Sequence, residues 1–341
     1  MKAVWIPRYG TPDVLEVREA ADPEPAPGEV RIRVRASGIN FAEIMARQGL
    51  YEDAPKPPMV VGYEVAGVID AVGTGVTDRK EGQRVLSMTQ FGGYADTVCV
   101  PTINTFPIPD SMGFEEAAAL PVNYLTAYHM LFRVFRVQPG DHVLIHQAAG
   151  GVGTAASQLC RSVGGVVTYG TASAAKHEHL RANGCTHPID YHATDYVEAI
   201  EALSDGHGVD LVLDALGGAD WKKGYSMLRP GGMLIPFGWA NMAKFGKRRL
   251  THVVAQLLRM PFWTPIRLMH ENRGVAGVNM GHLWEYASLI SEEMYALLGL
   301  YEAGKITPHV DRTFAFEDAG EAHAYIEDGK NVGKVLISPQ L

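Results

Sequence analysis

Ala148-Ala149-Gly150-Gly151-Val152-Gly153 is the stretch on which the reading of this sequence turns. The apolar run 142–145 precedes it, behind the turn Pro139-Gly140-Asp141. Residues 154–163 follow with helical periodicity, and then comes a second apolar run, 166–169. Strand, glycine turn, helix and strand, in that order, are what a G-x-G-x-x-G phosphate turn requires. The later glycines of that pattern are kept, and Ala148 replaces the first, where a small residue suffices. Backbone N–H groups at a helix N-terminus, backed by the positive end of the helix dipole, suit a pyrophosphate. The motif alone is also compatible with a structural turn. Its strand-turn-helix context selects a dinucleotide site.

Outward from the turn, the alternation continues: helices at 174–183 and 195–203, a strand at 209–214, a helix at 221–228 and a strand at 232–237. Repeated βα units imply an α/β fold, with a doubly wound parallel sheet covered by helices on both faces. The N-terminal third reads differently. Residues 29–36 place Val30, Ile32 and Val34 on one face and Arg31, Arg33 and Arg35 on the other, the pattern of a half-buried strand. Short runs at 65–72, 83–88 and 95–100, separated by glycine turns, suggest a mostly antiparallel barrel or roll. Helical spacing returns at 115–120 and 126–134, where we place the domain boundary. The C-terminal part carries helical stretches at 283–303 and 316–327 and a strand at 332–337.

An NAD-preferring site usually has an acid roughly 20 residues after the glycine turn, on the ribose 2′-hydroxyl. No acid lies between Gly164 and Lys176. The segment Gly170-Thr171-Ala172-Ser173-Ala174-Ala175-Lys176 instead offers hydroxyls and a cation, which suit a 2′-phosphate and point to NADPH. For Lys176 itself, a solvated charge on the first turn of a helix is the competing reading.

Composition sets the outer bounds. At 341 residues the chain exceeds the usual single core and is expected to form two lobes. A net charge of −8 argues against general nucleic-acid binding. The N-terminus lacks the features of a signal peptide, and no apolar run approaches the roughly 20 residues that span a bilayer. The three cysteines, Cys99, Cys160 and Cys185, are too few and too far apart for a disulfide framework or a four-cysteine zinc lobe. A reducing, cytoplasmic setting is the expectation.

Further segments carry a resemblance: Ala36-Ser37-Gly38-Ile39-Asn40-Phe41, Arg47-Gln48-Gly49-Leu50-Tyr51, Gly62-Tyr63-Glu64-Val65-Ala66-Gly67 and Gly92-Gly93-Tyr94-Ala95. With the glycine turn, they make the chain resemble the zinc-free quinone oxidoreductase branch of the medium-chain dehydrogenase/reductase superfamily over essentially its whole length. Within that branch it looks most like the vesicle amine transport protein homologues, through Gly170 to Ser173, Thr186 to His192 and Lys330 to Leu336. The resemblance implies a GroES-like, mostly antiparallel β-barrel catalytic domain over 1–122 and 281–341. It implies an NADP-binding Rossmann domain over 123–280. Zinc alcohol dehydrogenases place a cysteine near Asn40 and a histidine at Tyr63. Both are missing here, so no metal site is expected.

The resemblance also implies site residues. Asn40 and Thr126 fall beside the nicotinamide, and Lys176 and Tyr191 at the adenosine phosphate. Asn331 and Lys334 approach the cofactor from the C-terminal strand. Ala149, Gly150, Gly151, Val152, Gly153, Gly170, Thr171, Ser173, Leu216 and Gly238 complete the cofactor set, with Leu216 at the carboxyl end of a sheet strand. Quinone oxidoreductases often carry a tyrosine five residues after the asparagine. Met45 stands there in this chain, leaving Tyr51 and Tyr63 as the phenols able to orient a carbonyl. The implied activity is hydride transfer from NADPH to a quinone, enone or other apolar carbonyl, with solvent supplying the proton.

Two features point to partners. Residues 244–269 combine Lys244, Lys247, Arg248 and Arg249 with Leu257, Leu258, Met260, Phe262, Trp263, Ile266 and Leu268. A helical cover over the cleft is the favoured reading, and peripheral membrane or lipid contact is the alternative function class. Residues 273–280 read as a strand at the sheet edge, for which pairing across a two-fold axis in a homodimer is expected.

Overall fold

The computed structural model describes residues 1–243 and 259–340. The chain forms two compact units, one from residues 1–125 and 280–341 and the other from residues 126–279.

In the first unit a seven-stranded sheet is built around Glu29–Ile39. This strand pairs antiparallel with Glu64–Val72, with Thr97–Pro101 and with the C-terminal strand Lys334–Ser338. Its alternation is the one the sequence announces: Val30, Ile32 and Val34 are buried. On the other face, Arg31 and Arg33 both grip Asp70, at 2.9 and 2.6 Å. From Ala36 to Ile39 every residue is buried, which carries the strand end into the interior. It ends at Asn40, the N-cap of helix Phe41–Gln48. That helix is absent from the sequence reading. It is eight residues long, opens on a capping-box pattern with Glu43 at N3 and closes on Gly49 in the left-handed region (φ 71°).

The second unit holds a six-stranded parallel sheet in the spatial order His187–Asp190, Val167–Ala172, His142–Ile145, Val209–Asp214, Leu228–Pro236, Gly274–Val275. By chain order this is 3-2-1-4-5-6, the doubly wound arrangement whose direction reverses between the first and fourth strands. Strands His142–Ile145 and Val209–Asp214 are short and largely apolar, as expected of strands covered on both faces. The edge strand His187–Asp190 is not apolar and is absent from the sequence reading. Leu144, Tyr169, Val212 and Leu234 share a core with Tyr196, Ile200, Trp221 and Tyr225 from the covering helices.

Several boundaries differ from the sequence reading. The helical spacing at 126–134 belongs to an α-helix, Pro121–Tyr128, that widens into a π-helical turn, His129–Phe135. The strand expected at 273–280 pairs as a regular strand only at Gly274–Val275. Beyond it, Ala276 and Val278 donate to the Leu234 and Pro236 carbonyls. Of the basic and apolar stretch 244–269, residues 244–258 lie outside the described residues.

Candidate active site

The glycine turn leaves strand His142–Ile145 through Gln147, a non-glycine residue held at φ 51°. The Ala148 amide donates to the Thr171 carbonyl (3.1 Å), which ties the turn to the neighbouring strand. Helix Gly151–Val163 starts immediately, with Gly150 as its N-cap. The amides of Gly151, Val152 and Gly153 lie in the first turn, before the helix supplies i−4 acceptors. Gly153 is required by packing: a Cβ there would come within 2.5 Å of the Ala148 Cα and 2.6 Å of the Gln147 oxygen. At Gly150 a Cβ would meet only the Gln147 oxygen, at 3.3 Å, so that face of the backbone is open. A close backbone cradle on a helix N-terminus fits a pyrophosphate.

Of the other sequence-chosen residues of this unit, Gly170, Thr171, Ser173, Tyr191, Leu216 and Gly238 lie at or just past the carboxyl ends of parallel strands, and Thr126 lies on helix Pro121–Tyr128. Gly170 and Thr171 are buried, and a Cβ at Gly170 would meet Cys185, Ala148 and Leu180 within 3 Å. Ser173 caps the 3-10 turn Ala174–Lys176, after which helix His177–Ala182 begins. Tyr191 is half exposed and packs on His192, with ring centroids 4.3 Å apart. Leu216 donates its amide to Asp214, and Gly238 packs so closely on Ala215 that a Cβ would touch its backbone at 3.0 Å. Thr126 is 8% exposed.

In the first unit the structure brings Asn40 and Lys334 together, although they lie 294 residues apart. The Lys334 ammonium donates to Asn40 Oδ1 (2.6 Å) and pairs with the Glu64 carboxylate. Asn40 Nδ2 donates to Glu64 Oε1 (3.0 Å) and to Glu43 Oε1 (3.3 Å). Glu43 Oε2 accepts the Asn40 backbone amide (2.7 Å), and Glu64 Oε2 accepts the amide of Val122 (2.7 Å). Glu43, Glu64 and Lys334 are buried. No side chain larger than hydrogen fits at Gly38, because a Cβ would run into Glu64 and Lys334. The Asn40 carboxamide thus has both N–H bonds engaged and can meet a further ligand only as an acceptor. Burial pushes the Glu43 carboxyl up to about 7; Lys334 and the backbone bond oppose the rise, and Glu64 adds to it. Asn331 donates from Nδ2 to the Gly333 carbonyl (3.2 Å).

Tyr51 and Tyr63 meet edge to face, with centroids 6.3 Å apart, and Phe91 packs on Tyr63 at 5.3 Å. The Tyr63 hydroxyl is buried and meets no acceptor at bonding distance. Burial raises both phenols above the ordinary range, so they stay protonated and act as hydrogen-bond donors. Burial also holds Cys160 up to about 12 and Cys185 up to about 11, where neither is a thiolate near neutrality. Among the described residues, no group of three or more His, Cys, Asp or Glu is placed to hold a metal ion. No helix among them is long and apolar enough to cross a membrane.

The sequence reading missed Glu43 and left Glu64 without a role. The signal for Glu43 was local, an Asn-x-x-Glu spacing at 40–43 that marks a helix start. Nothing local marks Glu64 as the partner of Lys334.

With this geometry in place, comparison with known proteins defines the class. The model of the alcohol dehydrogenase GroES-like domain matches residues 26–110, and that of a zinc-binding dehydrogenase matches residues 183–337. The chain belongs to the medium-chain dehydrogenase/reductase superfamily and is an oxidoreductase of the quinone oxidoreductase type. The particular likeness runs to the vesicle proteins. The human synaptic vesicle membrane protein VAT-1 homolog is 49% identical over 325 residues, 95% of this chain and 82% of that protein. A Burkholderia 2-haloacrylate reductase is 32% identical over 349 residues, 99% of each chain. The Escherichia coli quinone oxidoreductase complexed with NADPH superposes with a TM-score of 0.88 at 27% identity, covering 99% of this chain and 100% of that one.

Proposed function

We propose that this protein is an NADPH-dependent reductase of quinones, enones or other apolar carbonyls. One observation carries the reading: a glycine turn, open on one face, stands on the N-terminus of helix Gly151–Val163 at the reversal point of a 3-2-1-4-5-6 sheet. The amides of Ala149 to Gly153 hold the pyrophosphate, while Thr171, Ser173, Lys176 and Tyr191 receive the adenosine 2′-phosphate end. Leu216, Gly238 and Thr126 line the cofactor. NADPH, when bound, supplies the hydride.

Asn40 accepts a hydrogen bond from the bound cofactor or substrate, held in place by Lys334 and the two glutamates. Tyr51 and Tyr63 donate to the substrate carbonyl and polarise it, and solvent returns the proton. Asn331 also contributes to cofactor binding. Titration of the protein with NADPH and NADH, followed by an acceptor screen, tests this. NADPH should bind at least tenfold tighter, and Lys176→Ala should erase that preference. Tight NADPH binding with no turnover on any quinone, enone or aldehyde would refute the activity.

A second reading rests on the surface of the second unit. Phe262, Ile266 and Met269 are 85%, 64% and 68% exposed, and Phe262 lines a pocket of about 700 Å³ together with Arg259 and Arg267. Cations next to exposed large apolar side chains suit an anionic membrane surface. Co-sedimentation with phosphatidylserine vesicles should fall in a Phe262→Asp, Ile266→Asp variant. An unchanged, negligible pellet removes the reading. We also propose a homodimer through the sheet edge at 273–280, for which light scattering should return twice the 37.1 kDa chain mass.

A further inference from the structure

The strand order of the parallel sheet reverses between His142–Ile145 and Val209–Asp214. Carboxyl ends of strands at such a reversal are where open α/β sheets bind ligands. His146, immediately after the first strand, and Asp214, the last residue of the fourth, sit there. They are 1% and 0% exposed.

Each reaches one part of the proposed dinucleotide cradle. His146 Nδ1 lies 3.1 Å from the Thr171 hydroxyl, on the adjacent strand. Asp214 Oδ1 accepts the amides of Leu216 (2.6 Å) and Gly217 (3.0 Å), fixing the turn that leaves the fourth strand. The other atoms of the two side chains face each other: His146 Nε2 and Asp214 Oδ2 are 4.0 Å apart. Both are buried and neither makes a hydrogen bond. Buried polar atoms are nearly always paired, and an orphan costs more than an average hydrogen bond contributes. Two facing orphans at 4.0 Å, about one ångström longer than a typical hydrogen bond, form a contact that is set but not made.

Among the described residues, the surroundings do not offer either atom another partner. Tyr196 stands edge-on to the His146 ring at 4.8 Å, and its hydroxyl donates to Asp220 (2.8 Å). Asp220 also accepts from Asn241 (2.9 Å), and Lys223 pairs with Asp195 (2.7 Å). Burial lowers the imidazole from its ordinary range and raises the carboxyl from its own, so desolvation opposes charge on both while the gap stays open.

We propose that His146 and Asp214 are positioning residues of the cofactor cradle, and that the bond between Nε2 and Oδ2 closes when the dinucleotide loads. Closure links the Thr171 hydroxyl, through the imidazole and the carboxyl, to the Leu216–Gly217 turn, so three strand ends become one hydrogen-bonded unit. The inference rests on the reading of residues 148–153 as a dinucleotide turn. Its test separates the two.

Histidine ring nitrogens report hydrogen bonding directly. In protein labelled with 15N-histidine, the His146 resonances are assigned by their loss in His146→Phe and followed while NADPH is added. Closure predicts a shift of the His146 Nε2 resonance on loading. It also predicts that His146→Phe and Asp214→Leu raise the NADPH dissociation constant at least tenfold. Asp214→Asn keeps an acceptor for the two amides and gives Nε2 an N–H donor, so it should bind within threefold of wild type. If wild type itself fails to bind NADPH, the cofactor reading falls. If wild type binds, but the Nε2 resonance stays still and His146→Phe binds equally well, closure is refuted while the cofactor reading stands. Should both apolar variants prove unfolded, His146→Gln supplies the assignment, and the wild-type resonance and the asparagine rescue still decide.

Discussion

The buried carboxyl of Glu43 makes the stability of this protein pH-dependent in a direction opposite to that of most carboxylates. Folding lifts it from 4.5 to about 7, because burial disfavours the charged form more than Lys334 favours it. Between those values the folded chain retains a proton that the unfolded chain releases, so stability falls as pH rises through the window and levels off above it. Integrating the two titrations from pH 5 to pH 8 gives a loss of about 2.5 kcal/mol at ~1.4 kcal/mol per unit. Glu43→Gln removes the titration while leaving an oxygen for the Asn40 amide. Urea unfolding of wild type and variant at pH 5, 6, 7 and 8 isolates the effect, since titrating groups remote from Glu43 cancel in the difference. The variant should gain about 2.5 kcal/mol on wild type across the range. A difference that stays flat within about 0.5 kcal/mol would mean that Glu43 ionises at an ordinary pKa and that Lys334 compensates its burial completely.

Lys334→Met leaves Glu43 and Glu64 buried without their cation and should cost about 3–5 kcal/mol in urea unfolding, most of it recovered when Glu64→Gln is added. Gly153→Ala drives a Cβ to 2.5 Å from the Ala148 backbone, so fluorescence titration should show NADPH binding weakened at least ~10-fold, or ~1.4 kcal/mol.

The edge strand His187–Asp190 was missed, because His-Pro-Ile-Asp gives no apolar run. Most of the parallel sheet was legible because runs such as His142–Ile145 and Val209–Asp214 are short, largely apolar and next to a helix, a signal contained within a few residues. The glycine turn was legible for the same reason: residues 146–154 carry strand end, turn and helix start together. Helix Phe41–Gln48 was not, since eight residues give barely two turns of periodicity. Its start is fixed by a cap, Asn40 with Glu43, and not by an apolar stripe. The edge strand was overcalled at 273–280. Only Gly274 and Val275 pair as a regular strand with Leu228–Pro236, although the Ala276 and Val278 amides still donate to the Leu234 and Pro236 carbonyls.

The polar cluster around Asn40 shows why a site can be read residue by residue and still be misjudged in its chemistry. Asn40 and Lys334 were both visible as candidates, and each reads alone as a group free to meet a cofactor. Placed together, they engage each other, and Glu64, 24 residues from Asn40, takes one amide hydrogen while Glu43 takes the other. The carboxamide is thereby left able to meet a further ligand only as an acceptor, and the lysine becomes its support. A group that only accepts cannot stabilise a developing alkoxide or enolate, which requires donors aimed at the oxygen. Within the first unit that task passes to the phenols. Tyr63 is the more telling of the two, because its hydroxyl is buried and protonated and has only a loose interaction with the Tyr51 phenol, short of a bond of ordinary length. An unmatched donor costs stability unless something arrives to accept its proton in a hydrogen bond, and a substrate carbonyl is an acceptor of that kind.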